Sequence, residues 1–150
     1  MSASATQPRR ALVVVDVQND YDGGNLAIQY PPFRDSVVNV ARAMDAAAEA
    51  GIKIVVVKQM APETSPIFAK GSHGGELHPE IARRKRDHYV EKVLPSAFTG
   101  TDLEAWLRAN DVDTIVVVGY MTHNCDLSAI IHAVHMGFAV EFLSDATGSV

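Results

Sequence analysis

Cys125 is the only cysteine in the 150-residue chain, and it falls where an apolar run gives way to a helical pattern. Thr114-Ile115-Val116-Val117-Val118-Gly119 reads as a buried strand, Tyr120 to Asn124 as a short turn, and Asp126 to Met136 as a helix. A thiol at a helix start faces unpaired backbone N–H groups and the positive end of the helix dipole, and both favour the thiolate. The plain alternative is a small packing residue, because free cysteine is among the most buried types. Two further residues bear on the choice. Asp16 closes the apolar run Ala11 to Val15, and Lys92 lies near the end of a short strand pattern, Tyr89 to Val93. Asp16 could take the thiol proton. Lys92 could hold the thiolate and keep Asp16 ionised, since a nearby cation lowers a carboxyl pKa. Taken singly, Asp16 reads as a loop cap and Lys92 as a surface ion pair; a thiol, an acid and an amine at one sheet edge favour catalysis. The chemistry would be acyl transfer. The thiolate attacks a carbonyl, N–H groups of the Tyr120–Cys125 turn hold the oxyanion, and water then releases a thioester.

The elements that must position these residues follow from periodicity. The apolar runs Ala11–Val15, Ile52–Val57 and Thr114–Gly119 suit strands buried on both faces of a parallel sheet. Between them, Asp35 to Ala50 has helical spacing (Val37, Val38, Ala41, Met44, Ala48), with Asp35 placed to cap its start and Gly51 its end. Thr101-Asp102-Leu103-Glu104 has the form of a capping box that opens a helix to Asn110. A last strand is expected over Ala139 to Leu143. Strands alternating with helices predict an α/β fold: a doubly wound, mostly parallel sheet with helices on both faces. Ligands of such sheets sit at the carboxyl ends of the strands, where Asp16, Lys92 and Cys125 all lie. Lys58 to His88 is a long segment broken by proline and glycine, with a short helix expected from Pro79 to Arg86; loops of this length are usually functional or disordered.

Composition excludes several classes. The net charge of −5 argues against nucleic acid or an anionic membrane surface as partner. A single cysteine rules out an internal disulfide framework and fits a reducing cytoplasm. Residues 1–10 read as a flexible N-terminus without a signal-peptide core, and residues 11–150 as one domain with no membrane span. His73 and His78 match no strong metal-ligand spacing, so the expectation is no metal and no cofactor.

The chain resembles the isochorismatase-like cysteine hydrolases, the superfamily that includes nicotinamidases and N-carbamoylsarcosine amidohydrolases. The carrying segments are Ala11-Leu-Val-Val-Val-Asp-Val-Gln-Asn-Asp-Tyr21, Lys92-Val-Leu-Pro-Ser-Ala-Phe-Thr-Gly-Thr101 and Val118-Gly-Tyr-Met-Thr-His-Asn-Cys125, with Gly137-Phe138 and Ser144-Asp145-Ala146 following. The resemblance implies an isochorismatase-like, three-layer α/β/α fold. It makes Asp16 the general acid/base, Lys92 its electrostatic partner and Cys125 the nucleophile. It also implies a non-proline cis peptide at Tyr120–Met121, with the N–H groups of Met121 and Cys125 as the oxyanion hole, and a homo-oligomer, dimer or tetramer.

Departures from the family pattern narrow the activity. Nicotinamidases carry metal-binding Asp-x-His after the second strand, where this chain has Lys58-Gln-Met-Ala-Pro-Glu-Thr64. Isochorismatases proper often lack the cysteine, because vinyl-ether hydrolysis needs acid catalysis and no thioester. Cys125 therefore points to a small amide, ureide or carbamoyl C–N bond. A vinyl-ether hydrolase and a thiol-redox sensor using Cys125-Asp-Leu-Ser128 are the alternatives. Asp126 stands where the family often has valine, and it is expected to turn away and cap the helix. Gln18, Tyr21, Phe98 and His123 are candidate substrate contacts, and Asp20 a residue that pins a loop. Family members usually continue through another helix and strand after Val150, so either the sheet is shorter here or a C-terminal part lies outside this sequence.

Overall fold

The computed structural model describes residues 6–150. The five apolar runs become five parallel strands: β1 (Arg10–Val15), β2 (Lys53–Gln59), β3 (His88–Lys92), β4 (Thr114–Tyr120) and β5 (Ala139–Gly148), in the spatial order β3-β2-β1-β4-β5. The first residues of the expected flexible tail lie outside the described residues. Arg10 already belongs to β1, and the Arg9 backbone N–H donates to Asp113 Oδ1 at 2.9 Å.

Strand side chains alternate between two cores. Leu12, Val14, Ile54, Val56, Val116 and Val118 face α1 (Phe33–Glu49) and the single turn α2 (Pro79–Ala82). Ala11, Val13, Val55, Val57, Ile115 and Val117 face α3 (Leu103–Ala109) and α4 (Leu127–His135). The sheet is thus covered on both sides, as its continuous valine runs require. α1 buries one stripe, Val37, Val40, Ala41, Met44 and Ala47. It starts after Pro32, two residues earlier than Asp35 suggests, and Asp35 sits in the first turn without capping. At its end the Gly51 N–H donates to Ala48 O and the Ile52 N–H to Ala47 O, with Gly51 at φ +72°.

Three elements differ from the sequence reading. The capping box does not form. The Thr101 hydroxyl donates to Ala97 O at 2.7 Å and accepts from the Leu103 N–H, and Glu104 lies 3.8 Å from Arg108. The helix expected over Pro79–Arg86 is one turn, ending at Ala82. β5 runs on to Gly148 rather than ending at Leu143, because a register break opposite Val117–Gly119 lets the chain rejoin β4 through Thr147 and Gly148.

One glycine sets how closely β4 approaches β1. Gly119 has φ +114°, and a Cβ there would lie 2.1 Å from Val15 O. Gly119→Ala is expected to cost more than about 4 kcal/mol, since both the backbone conformation and a backbone contact must give. Urea denaturation, or loss of soluble protein, measures this; a variant within about 1 kcal/mol of the parent would contradict the close approach.

Candidate active site

β1 ends at Val15, and the next residue turns sharply. Asp16 takes a left-handed conformation, φ 51°, and its N–H donates to Val57 O at 3.0 Å. Aspartate tolerates that conformation better than most side chains. Lys92, the last residue of β3, reaches across the end of β2. Its Nζ lies 2.8 Å from Asp16 Oδ2, and both side chains are fully buried. The same ammonium donates to Gln59 Oε1 at 2.5 Å and to Leu94 O at 3.1 Å, and stands 3.5 Å from Cys125 Sγ. Gln59 is the register partner of Lys92 on β2, which explains their contact. Acid, amine and thiol therefore meet at the carboxyl edge of β1, β3 and β4, brought there by a strand order that sequence alone does not display.

Cys125 is not at the start of a regular helix. It lies inside a π-helical turn, Thr122–Asp126, that joins β4 to α4. Nor is the resting thiol acidic, as the helix-start argument expected. Burial pushes it up to about 12, and the Asp16 carboxylate adds to the rise, while Lys92 pulls the other way. Burial also raises Asp16 above the ordinary carboxyl range, opposed by Lys92 and the thiol. Asp16 Oδ1 has no hydrogen-bond partner among the described residues. The Tyr120–Met121 peptide is cis, and Met121 lines a cavity of about 380 Å³ onto which Cys125 opens.

The four candidate contacts divide. Tyr21 lines that cavity, its ring packed 5.1 Å from Phe68 and 5.3 Å from Tyr120. Gln18, Phe98 and His123 do not. Gln18 is wholly buried as a loop clamp: its Nε2 donates to Gln59 O and Gly75 O, and its Oε1 accepts from the Gln59 N–H. Phe98 packs on the other side of the sheet, 5.3 Å from the His132 ring and 6.4 Å from Phe138. His123 is exposed and pairs with Ser149 through Nδ1 at 3.0 Å. Asp20 does pin a loop, accepting from the Phe68 N–H at 2.7 Å and lying so close to Gly74 that a Cβ there would clash with it. These clamps fold the 58–88 segment over the site, where Ala61, Ile67 and Phe68 form a cavity wall.

Gln59 escaped the sequence reading. The signal was available: it follows a buried strand as Asp16 does, one strand from Lys92. A nicotinamidase-type metal does not fit here. The corresponding stretch presents Gln59, Met60 and Ala61; Gln59 is engaged with Lys92, and Ala61 has no donor atom. No three His, Cys, Asp or Glu side chains cluster as ligands among the described residues. His78 instead caps α2, accepting from the Glu80 N–H, and pairs with Asp22.

Asp126 corrects a further expectation. It makes no helix cap and is fully buried, accepting from the Thr147 hydroxyl at 2.7 Å, with Thr122 bonded to Thr147 at 2.7 Å. Thr147 is available only because β5 runs on past Leu143. Burial raises the Asp126 pKa to about 7; Thr147 and Lys92 lower it, and Asp16 raises it. The folded state therefore holds a proton that the unfolded chain has lost, between about pH 4 and 7, so Asp126 removes stability as pH rises through that window. Asp126→Asn is expected to gain Tm relative to the parent as pH rises, on the order of 5 °C more at pH 8 than at pH 5. Parallel melts of both proteins across that range test this, and a constant offset would contradict it.

Comparison with known proteins gives the fold a lineage. The isochorismatase domain family matches residues 10–150. A crystal structure from Burkholderia xenovorans LB400 is 64% identical, with a TM-score of 0.96, over 97% of this chain and 70% of that one. N-carbamoylsarcosine amidase from Thermoplasma acidophilum is 26% identical with a TM-score of 0.82, over 95% of this chain and 85% of its own. The nicotinamidase of Escherichia coli K12 is 26% identical over 95% of this chain and 84% of its own length. No helix among the described residues is long and apolar enough to cross a membrane. With its parallel five-stranded sheet and near-complete family match, this chain belongs to the isochorismatase family and is an isochorismatase-like hydrolase.

Proposed function

We propose that the protein hydrolyses a small amide, ureide or carbamoyl C–N bond through a thioester on Cys125. One observation carries the reading: a buried Asp16–Lys92 ion pair lies against the Cys125 thiol at the floor of a cavity. The resting thiol is neutral, so the proton leaves as the bond forms. Asp16 accepts it, Sγ adds to the carbonyl carbon, and the carbonyl π pair moves to oxygen. The N–H groups of Met121 and Cys125 receive that oxyanion. When it collapses, the C–N bond breaks and the amine departs with the proton from Asp16. Water then loses a proton to Asp16 and adds to the thioester carbonyl; on collapse the C–S bond breaks, Sγ takes that proton back from Asp16, and a carboxylic or carbamic acid leaves. Lys92 keeps Asp16 anionic at the start of each half-reaction.

A thiol sensor is less well supported, because such cysteines are exposed and acidic, whereas Cys125 is buried and its pKa is raised. A nucleophile that works as a free thiol suits a reducing compartment, and we place the enzyme in the cytoplasm. Intact-protein mass spectrometry during turnover of a panel of small amides, ureides and carbamoyl compounds tests the mechanism. A transient adduct with the mass of the acyl group is expected on Cys125. Product release with no adduct under rapid acid quench, and no trapping by hydroxylamine, would count against the thioester.

A further inference from the structure

The cavity above Cys125 carries a second message, about charge. Its walls are Leu26, Ile67, Phe68, Val93 and Pro95, the neutral amide of Asn124 also lines it, and among the described residues no arginine or histidine does. The one buried cation nearby is Lys92, and an ammonium has three N–H donors. Here all three are occupied, by Asp16 Oδ2, Gln59 Oε1 and Leu94 O. No ammonium N–H is left to pair with a carboxylate on a ligand, and Asp16 would repel one. Tyr21 adds no charge, because burial raises its phenol pKa far above the ordinary range and keeps it neutral. The Ser65 hydroxyl is already spent on Ile67 O at 2.7 Å.

Of the two amides that line the cavity, Gln59 and Asn124, Gln59 has its orientation fixed. Lys92 can only donate, so the contact fixes Oε1 on the lysine side and puts Nε2 on the other. That nitrogen makes one long bond, to Met60 O at 3.4 Å, leaving its second N–H for the cavity that Gln59 lines. A largely apolar chamber whose polar amides, Gln59 and Asn124, are both neutral, and in which Gln59 has its orientation fixed, suits an uncharged ligand that carries an acceptor.

We propose that the site selects uncharged amides with a compact apolar body, rejects those bearing a carboxylate, and uses the Gln59 amide as the donor that recognises a neutral acceptor on the substrate. This rests on the hydrolase reading for its turnover arm but not for its binding arm. Burying an unpaired carboxylate against apolar walls is costly, whereas a neutral group of the same shape is not.

Three isosteric probes separate the terms: succinamate, 4-oxopentanamide and 4-methylpentanamide. Wild-type kcat/KM is expected to be roughly 100-fold or more lower for succinamate than for either neutral amide, and to favour 4-oxopentanamide over 4-methylpentanamide. Gln59→Met is expected to erase the preference between the two neutral probes. That is a ratio, which a general loss of activity through Lys92 would leave unmoved. The same probes are titrated against Cys125→Ala by ligand-observed NMR. Neutral probes that bind while succinamate does not, without turnover by the wild type, would sustain the selectivity and overturn the reading of the site as an amide hydrolase. Succinamate hydrolysed or bound as well as the neutral probes would overturn the selectivity and leave the hydrolase reading standing. Failure of all three to bind would also overturn it, and an unchanged neutral-probe ratio in Gln59→Met would remove Gln59 as the donor.

Discussion

Cys125→Ala is expected to lose turnover by on the order of 10⁴-fold or more while keeping its fold. The thiol forms the only covalent bond between protein and substrate in the proposed mechanism, and no other cysteine can stand in for it. The structural cost of removing it is small, because Cys125 contributes little packing volume and faces a cavity on one side. Asp16 loses the thiol's hydrogen bond, but its pairing with Lys92 remains. A Tm within about 3 °C of the parent and an unchanged far-UV spectrum would show the fold intact. Residual hydrolysis above a few per cent in such a folded variant would exclude the thioester route.

Lys92→Met has the larger effect on stability. The substitution keeps most of the stem volume and removes the charge that pairs with Asp16 at 2.8 Å. Asp16 is then buried with no cation, and breaking a buried pair from one side typically costs about 3–5 kcal/mol. Asp16 can escape part of this by taking a proton, so the loss has a sign in pH. Burial already raises Asp16, and without Lys92 it rises further; the variant therefore loses stability relative to the parent as pH increases and is least impaired in acid. The double variant Asp16→Asn/Lys92→Met is expected to recover much of the stability, since no lone charge remains, but none of the activity. Urea denaturation of the four proteins at pH 5 and pH 8 completes the cycle. Additive losses, with no recovery in the double variant, would mean that Asp16 and Lys92 do not act as a pair.

Much of the fold was legible because it is local. Val13 to Val15 and Val55 to Val57 are β-branched runs with no polar face, and only a sheet covered on both sides buries such a pattern. The α1 stripe from Val37 to Ala47 has the spacing of one helix face. Boundaries were less legible where a side chain had a competing partner. Thr101 spends its hydroxyl on Ala97 O rather than on a capping box, and Asp126 spends its carboxylate on Thr147 rather than on a helix N-terminus. Both partners are set by the fold and leave no mark at the position itself.

The same division runs through the site. The residue types at 16, 92 and 125, each just past or at the end of an apolar strand, were readable in one dimension, because parallel strands deliver their carboxyl ends to a common edge. Which side chains touch there was decided by strand order. Lys92 meets Asp16 across β2, and Gln59 enters the site only because it lies between them. The long 58–88 loop acquired its path from Gln18 and Asp20, clamps whose partners are backbone atoms far along the chain. The thiol's ionisation was decided the same way: the helix-start argument foresaw a thiolate, but Cys125 lies inside the Thr122–Asp126 turn, where burial and the carboxylate beside it raise its pKa. Periodicity records what each residue faces on its own element, whereas charge and burial depend on what other elements bring alongside, and only the folded chain sets those distances.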